Sequence, residues 1–116
     1  MEDTKIEKSK KHILIEIIDY TSKAIASRTI IRKTTGNINV SAFDNGMMLP
    51  GAFSAFDVFL QIIEGDAEVL IDKHSILLKT GEIIIVPAHT AYIIKANKRF
   101  KMISTVIKSG YEESSL

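Results

Sequence analysis

Hydrophobic and polar residues alternate with a period close to two from about residue 26 to 107, and turn-forming residues interrupt the alternation at hairpin intervals. The pattern predicts strands over residues 27–33, 37–43, 56–64, 67–72, 75–79, 82–86, 92–96 and 100–107. Asp44-Asn45-Gly46 predicts a turn, because Asn and Gly tolerate positive φ, and Leu49-Pro50-Gly51 predicts a bend. Roughly eight short strands without a long helix predict a single all-β domain, a sandwich or a barrel.

The N-terminal part of the chain follows a different pattern. Residues 1–11 are polar and charged, which predicts a solvated arm, and the folded domain is expected over 12–116. Ile13, Ile15 and Ile17 alternate as in a strand, whereas Ile17, Ile18 and Tyr20 would also fit one helical turn. The segment is therefore expected to be an extended or short helical lead-in.

Composition excludes several classes of function. The chain has 15 basic and 14 acidic residues, so it lacks the strong field that attracts nucleic acid or anionic lipid. The absence of cysteine excludes disulfides, thiolate metal sites and a cysteine nucleophile. No apolar run is long enough to cross a membrane, and no signal-peptide core is present. These observations predict a cytoplasmic protein without nucleic-acid or membrane partners.

Two glycine-bounded segments carry the most specific spacing in the chain. In the first, Gly46 is followed after five residues by Ala52, then by Ser54, Val58 and finally Gly65. Residues at alternate positions of a strand point to the same side, so such a segment projects a set of side chains together. The glycines suit turns in which a larger side chain would clash.

The second segment begins at Gly81 and reaches Pro87 after five residues. His89, Tyr92 and Ala96 follow, and Asn97 comes directly after them. Pro87 is suited to the end of a strand, where no further ladder donor is needed.

In this order, the two segments resemble the paired motifs of the cupin superfamily, over residues 46–107. The resemblance implies a single-domain cupin jelly-roll β-barrel, related to the RmlC-like type. In metal-bearing cupins, the positions of Ala52 and Ser54 hold histidines and that of Val58 holds a glutamate. The position of Tyr92 holds the remaining histidine, so this chain keeps the structural residues of both motifs but not their metal ligands.

The substituted positions predict a site without a metal or other cofactor. Ala52 and Val58 have no donor atoms, Ser54 is a poor neutral ligand, and Tyr92 alone would not hold a metal. We therefore expect a cupin domain that binds a small, mostly apolar molecule or acts as an interaction module. The residues predicted to line the ligand site are Ala52, Ser54, Val58, Leu60, Ile62, Tyr92, Ile94 and Met102.

The resemblance also implies a homodimer formed through edge strands, for which the isoleucine-rich segment at Ile13, Ile15 and Ile17 is a suitable edge. An alternative function is a metal-independent isomerase or epimerase, with Tyr92 as the acid and His89 as the base. Two structural roles stay open beside it: Tyr92 as an aromatic that fills the vacated site, and His89 as a turn residue. A metalloenzyme with ligands outside the motifs is disfavoured, because the three histidines are scattered.

Overall fold

The computed structural model describes residues 5–108, which form two antiparallel sheets and one short 3₁₀ helix, Leu14–Glu16. The strands are β1 (Ile25–Lys33), β2 (Gly36–Phe43), β3 (Met48–Ala52), β4 (Val58–Glu64), β5 (Ala67–Ile71), β6 (His74–Leu78), β7 (Ile83–Val86), β8 (Tyr92–Lys95) and β9 (Phe100–Ile107).

The nine strands are divided between two sheets that enclose one core. One sheet has the order β1-β2-β9-β4-β7 and the other has β3-β8-β5-β6, so the chain crosses repeatedly between them. The inner faces bury one continuous apolar core, in which alternate residues of β4, β5 and β8 take part. The predicted all-β jelly roll is therefore confirmed.

One end of the sandwich is filled by aromatic stacking. The rings of Phe43 and Phe100 lie parallel with centroids 4.5 Å apart, and both side chains are fully buried. Gly65 packs closely against the backbone at Arg99 and Phe100. A Cβ at this position would therefore lie 2.7 Å from the carbonyl oxygen of Arg99. The φ of +84° at Gly65 also favours glycine, so this position of the first motif has a structural cause.

A second apolar cluster lies on the outer face of the five-stranded sheet. Ile18 packs there with Val40 and Ala42, and Ile17 and Tyr20 extend the contact. The N-terminal segment thus covers the side of the sheet that faces away from the other sheet. As a result, Val40 and Ala42 of β2 are buried on its outer face, while Phe43 belongs to the core between the sheets.

The structure corrects two of the local predictions. The bend predicted at residues 49–51 lies inside β3, whose pairing with β8 shifts register between Leu49 and Ala52. The segment proposed as a dimer edge is a 3₁₀ helix at Leu14–Glu16, in which Ile13 and Ile15 are exposed and Ile17 packs on the sheet. A short helical lead-in is present, but it spans Leu14–Glu16 rather than a turn formed by Ile17, Ile18 and Tyr20. An N-terminal strand as the dimer edge is therefore wrong, while the homodimer itself stays a prediction.

Candidate functional site

A cavity of about 410 Å³ lies between the two sheets, and strands from both sheets line it. Ser27, Arg32 and Leu49 are exposed and mark the place at which it opens to solvent. The residues that line the cavity are Ser27, Arg28, Thr29, Arg32, Asn39, Ser41, Leu49, Leu60, Tyr92, Ile94, Met102 and Ser104.

One wall of the cavity is apolar. Leu60, Ile94 and Met102 belong to the buried core, and Leu49 stands opposite Ile94 in the pairing of β3 with β8. Tyr92 completes this wall from the first position of β8. These side chains offer a dry surface to the apolar part of a ligand.

The polar wall is the part of the lining built by β1 and β2, which lies beside Leu60 and Met102 on the inner face of the five-stranded sheet. Ser27 pairs with Ser41 across the two strands, and their hydroxyl oxygens are 3.0 Å apart. Thr29 pairs in the same way with Asn39, and its hydroxyl donates to Oδ1 of Asn39 at 2.9 Å. Ser104 of β9 pairs with Asn39 from the other side of β2. The polar groups therefore form a ladder along the inner face of the sheet.

Arg32 extends this ladder to the opening of the cavity. Its Nη2 donates to Oγ1 of Thr29 at 3.2 Å, and Nδ2 of Asn39 donates to Oδ1 of Asn37 at 2.8 Å. The side chains of Arg32, Thr29, Asn39 and Asn37 thus form one continuous chain of hydrogen bonds.

Among the residues that the sequence predicted for the site, Tyr92 is the one with a polar side-chain group that lines the cavity. Its side chain is buried, and burial raises the pKa of its hydroxyl above the ordinary value. Within residues 5–108 the hydroxyl has no hydrogen-bond partner. The phenol is therefore neutral near pH 7 and has capacity to donate and accept a hydrogen bond.

Four of the eight predicted ligand-binding residues line the cavity: Leu60, Tyr92, Ile94 and Met102. The other four do not. Val58 and Ile62 are core side chains, and Ala52 packs at the edge of that core as the cross-strand neighbour of Tyr92. Ser54 accepts a hydrogen bond from the backbone N–H of Phe56 at 3.0 Å, which stabilises its loop. Ligand contact at any of the eight stays a prediction.

His89 lies in the turn before β8 and does not line the cavity. Its φ is +61°, its backbone N–H donates to the carbonyl of Ser54 at 2.8 Å, and its side chain is exposed. The ring is 6.2 Å from that of Phe53, centroid to centroid. These contacts describe a turn residue, and they do not bring His89 and Tyr92 together on one cavity wall.

The residues at the motif positions do not fit a bound metal ion. Within the described residues, no three His, Cys, Asp or Glu side chains stand close enough to hold one. Ala52 and Val58 offer no donor atom, and the Ser54 hydroxyl is engaged with its own loop. No chemical step is therefore derived through a metal at these positions.

The polar wall is the part of the site that the sequence analysis missed. Its signal was present as alternation along β2, where Asn37, Asn39 and Ser41 interleave with Ile38, Val40 and Ala42. The predicted ligand site included no residue of this strand, whereas the structure places Asn39 and Ser41 in the lining and directs Val40 and Ala42 to the N-terminal segment. The lining is consequently much more polar than the sequence analysis expected.

Solved structures similar to this chain were found in several bacteria. A cupin superfamily protein from Desulfitobacterium hafniense has a TM-score of 0.85 at 20% identity, covering 94% of this chain and 100% of its own. A conserved protein of unknown function from Streptococcus pyogenes has a TM-score of 0.86 at 26% identity, covering 96% and 98%. A cupin 2 conserved barrel domain protein from Leptotrichia buccalis has a TM-score of 0.79 at 22% identity, covering 82% and 46%.

No protein-family model matches the chain, and no curated protein matches it. In residues 5–108 there is also no helix with the length and apolarity that a bilayer crossing requires.

Proposed function

We propose that this chain, which has the cupin superfamily fold, binds a small molecule in its barrel cavity without a metal ion. The observation that carries the proposal is the cavity of about 410 Å³, with the Tyr92 side chain in its wall. This volume is within the range of roughly 300–1,000 Å³ typical of small-molecule sites.

The two walls define the kind of ligand. Leu60, Ile94 and Met102 favour an apolar portion, while the neighbouring hydroxyls of Ser27, Ser41 and Thr29 favour hydrogen-bonding groups. The expected ligand is therefore amphipathic rather than mostly apolar, because an apolar molecule would displace water from the polar wall without replacing its hydrogen bonds.

The Tyr92 hydroxyl supports the same proposal. Within residues 5–108 the hydroxyl has no protein hydrogen-bond partner, so its donor and acceptor capacity is available to a polar atom of a ligand. No comparable observation favours the isomerase alternative, since its second residue, His89, is exposed and does not line the cavity.

The test measures binding of three neutral probes, mandelamide, gluconamide and hexanamide, which represent aromatic, polyhydroxyl and aliphatic chemistry. Amide chemical shifts of the ¹⁵N-labelled protein are followed during titration with each probe, after elemental analysis has established the metal content. We expect metal-free protein and shifts concentrated at Tyr92, Ser104 and their neighbours.

A matched pair of variants locates the binding. Ser104→Leu places a bulky side chain in the cavity, whereas Thr105→Leu places the same side chain on the opposite face of β9. Binding should be lost in the first variant and kept in the second. The absence of shifts with all three probes and with their corresponding carboxylic acids, or a stoichiometric bound metal, would overturn the proposal.

A further inference from the structure

We propose that the ligand carries a carboxylate, which Arg32 binds at the opening of the cavity. This inference rests on the proposed function and specifies the chemical class of the ligand. It is derived from the direction of the hydrogen bonds in the polar wall and from the charges around the cavity.

Arg32 fixes the direction of the hydrogen bonds that link it to Thr29, Asn39 and Asn37. A guanidinium only donates, so Oγ1 of Thr29 must accept from it, and the Thr29 hydroxyl hydrogen is directed to Oδ1 of Asn39. The amide of Asn39 is thereby oriented, and its nitrogen donates to Oδ1 of Asn37. At the opening, the groups left for a ligand are the remaining N–H groups of Arg32. This end of the wall therefore presents donors, which suit an acceptor-rich ligand.

The charges at the cavity have the same sign. Arg28 and Arg32 line it, and no Asp or Glu among residues 5–108 does. Arg28 directs Nη1 to the carbonyl of Ile17 at 2.8 Å, which fixes that end of its side chain on the N-terminal segment. Arg32 is exposed at the opening, and within the described part of the chain its one hydrogen bond is to Thr29, so most of its planar donor set faces solvent.

A single guanidinium beside an apolar wall suits a carboxylate. Its paired N–H groups match the two oxygens of a carboxylate in a bidentate arrangement. The hydroxyls of Ser41 and Ser104 are less exposed than Arg32 on the same sheet face and would bind hydroxyl groups of the ligand. The apolar remainder of the molecule would contact Leu60 and Met102.

The experiment compares each neutral probe with its own acid: mandelate, gluconate and hexanoate against mandelamide, gluconamide and hexanamide. Each pair has nearly the same shape, so the difference in affinity reports the charge. We expect at least one acid to bind about tenfold more tightly than its amide, measured by titration at constant ionic strength.

Three variants identify the group responsible. Arg32→Gln should abolish the preference for the acid, and Arg32→Lys should retain part of it, because lysine keeps the charge but not the planar fork. Lys33→Gln removes a positive charge from the next, exposed position of the same strand and should leave the preference intact. Arg32 is itself exposed, so its replacement is expected to leave the fold unchanged.

The outcomes separate this inference from the function on which it rests. Equal binding of acids and amides in the cavity, or an acid preference that survives Arg32→Gln, would overturn the carboxylate assignment and leave the proposed function standing. If no acid or amide binds, both proposals fail.

Discussion

Nζ of Lys101 donates a hydrogen bond to the backbone carbonyl of Ile15 at 2.6 Å, from a side chain that is only 8% exposed. The same ammonium group lies 4.9 Å from the centroid of the Tyr20 ring and 3.9 Å from Oε1 of Glu64. One lysine of β9 therefore attaches the N-terminal segment to the outer face of the five-stranded sheet. The covering of that face depends on this contact together with apolar packing.

Replacement of Lys101 should loosen the N-terminal segment. We expect Lys101→Met to lower the free energy of unfolding by roughly 2 kcal/mol, because a charge-assisted hydrogen bond from a buried side chain is lost. Faster amide hydrogen exchange in the covering segment should accompany the loss. Lys98→Met, at an exposed position of the preceding loop, is the control and should change neither quantity. An unchanged exchange pattern in Lys101→Met would argue against the anchoring role.

Tyr92→Phe separates ligand binding from stability. Since the hydroxyl has no hydrogen-bond partner within the described residues, its removal should change the free energy of unfolding by less than about 0.5 kcal/mol. Affinity for a probe that binds in the cavity should fall, because the hydroxyl is available to it. Chemical denaturation and probe titration of the same variant give the two values, and a large loss of stability would indicate a structural role for the hydroxyl.

Stability at acid pH should depend on Asp44. The backbone N–H of Lys23, the guanidinium of Arg99 and the backbone N–H of Asn45 lower the pKa of Asp44 from 3.8 to about 2. Because the folded state favours the charged carboxylate, this stabilisation is present above the unfolded pKa and is lost as the pH falls from about 4 towards 2.

Urea denaturation across that pH range tests the role of Asp44. Asp44→Asn should flatten the pH dependence, and it should be less stable than the wild type near neutral pH. Asp66→Asn removes an exposed carboxyl group and should retain the wild-type profile. A wild-type slope in Asp44→Asn would show that other carboxylates cause the dependence.

Two glycines of the paired motifs should differ in their tolerance of alanine. Gly65 and Gly81 have φ of +84° and +90°, so Gly81→Ala is expected to cost about 1–2 kcal/mol for the left-handed backbone. Gly65→Ala should cost more, because its Cβ would also lie 2.7 Å from a backbone carbonyl oxygen, whereas Gly81 faces open space. Thermal denaturation of both variants checks the order, and equal losses would show that the contact at Gly65 relaxes freely.

The sequence by itself determined the all-β class, eight of the nine strands in residues 5–108 and the loss of metal donors at the motif positions. Strand alternation and turn chemistry are local, so a linear sequence displays them directly. The strand at Met48–Ala52 was missed because Pro50 and Gly51 are local turn signals, and pairing with β8 outweighs them.

Only the tertiary structure decided which side of β2 faces the cavity. The alternation of Asn39 and Ser41 with Val40 and Ala42 is equally compatible with either orientation, because a strand presents both faces equally. Contact with Ile18 fixes the apolar residues on the outside, and this leaves the serine and asparagine in the barrel. The polar wall and its arginine therefore arise from packing between segments that are distant in sequence. Periodicity within one strand does not predict that packing.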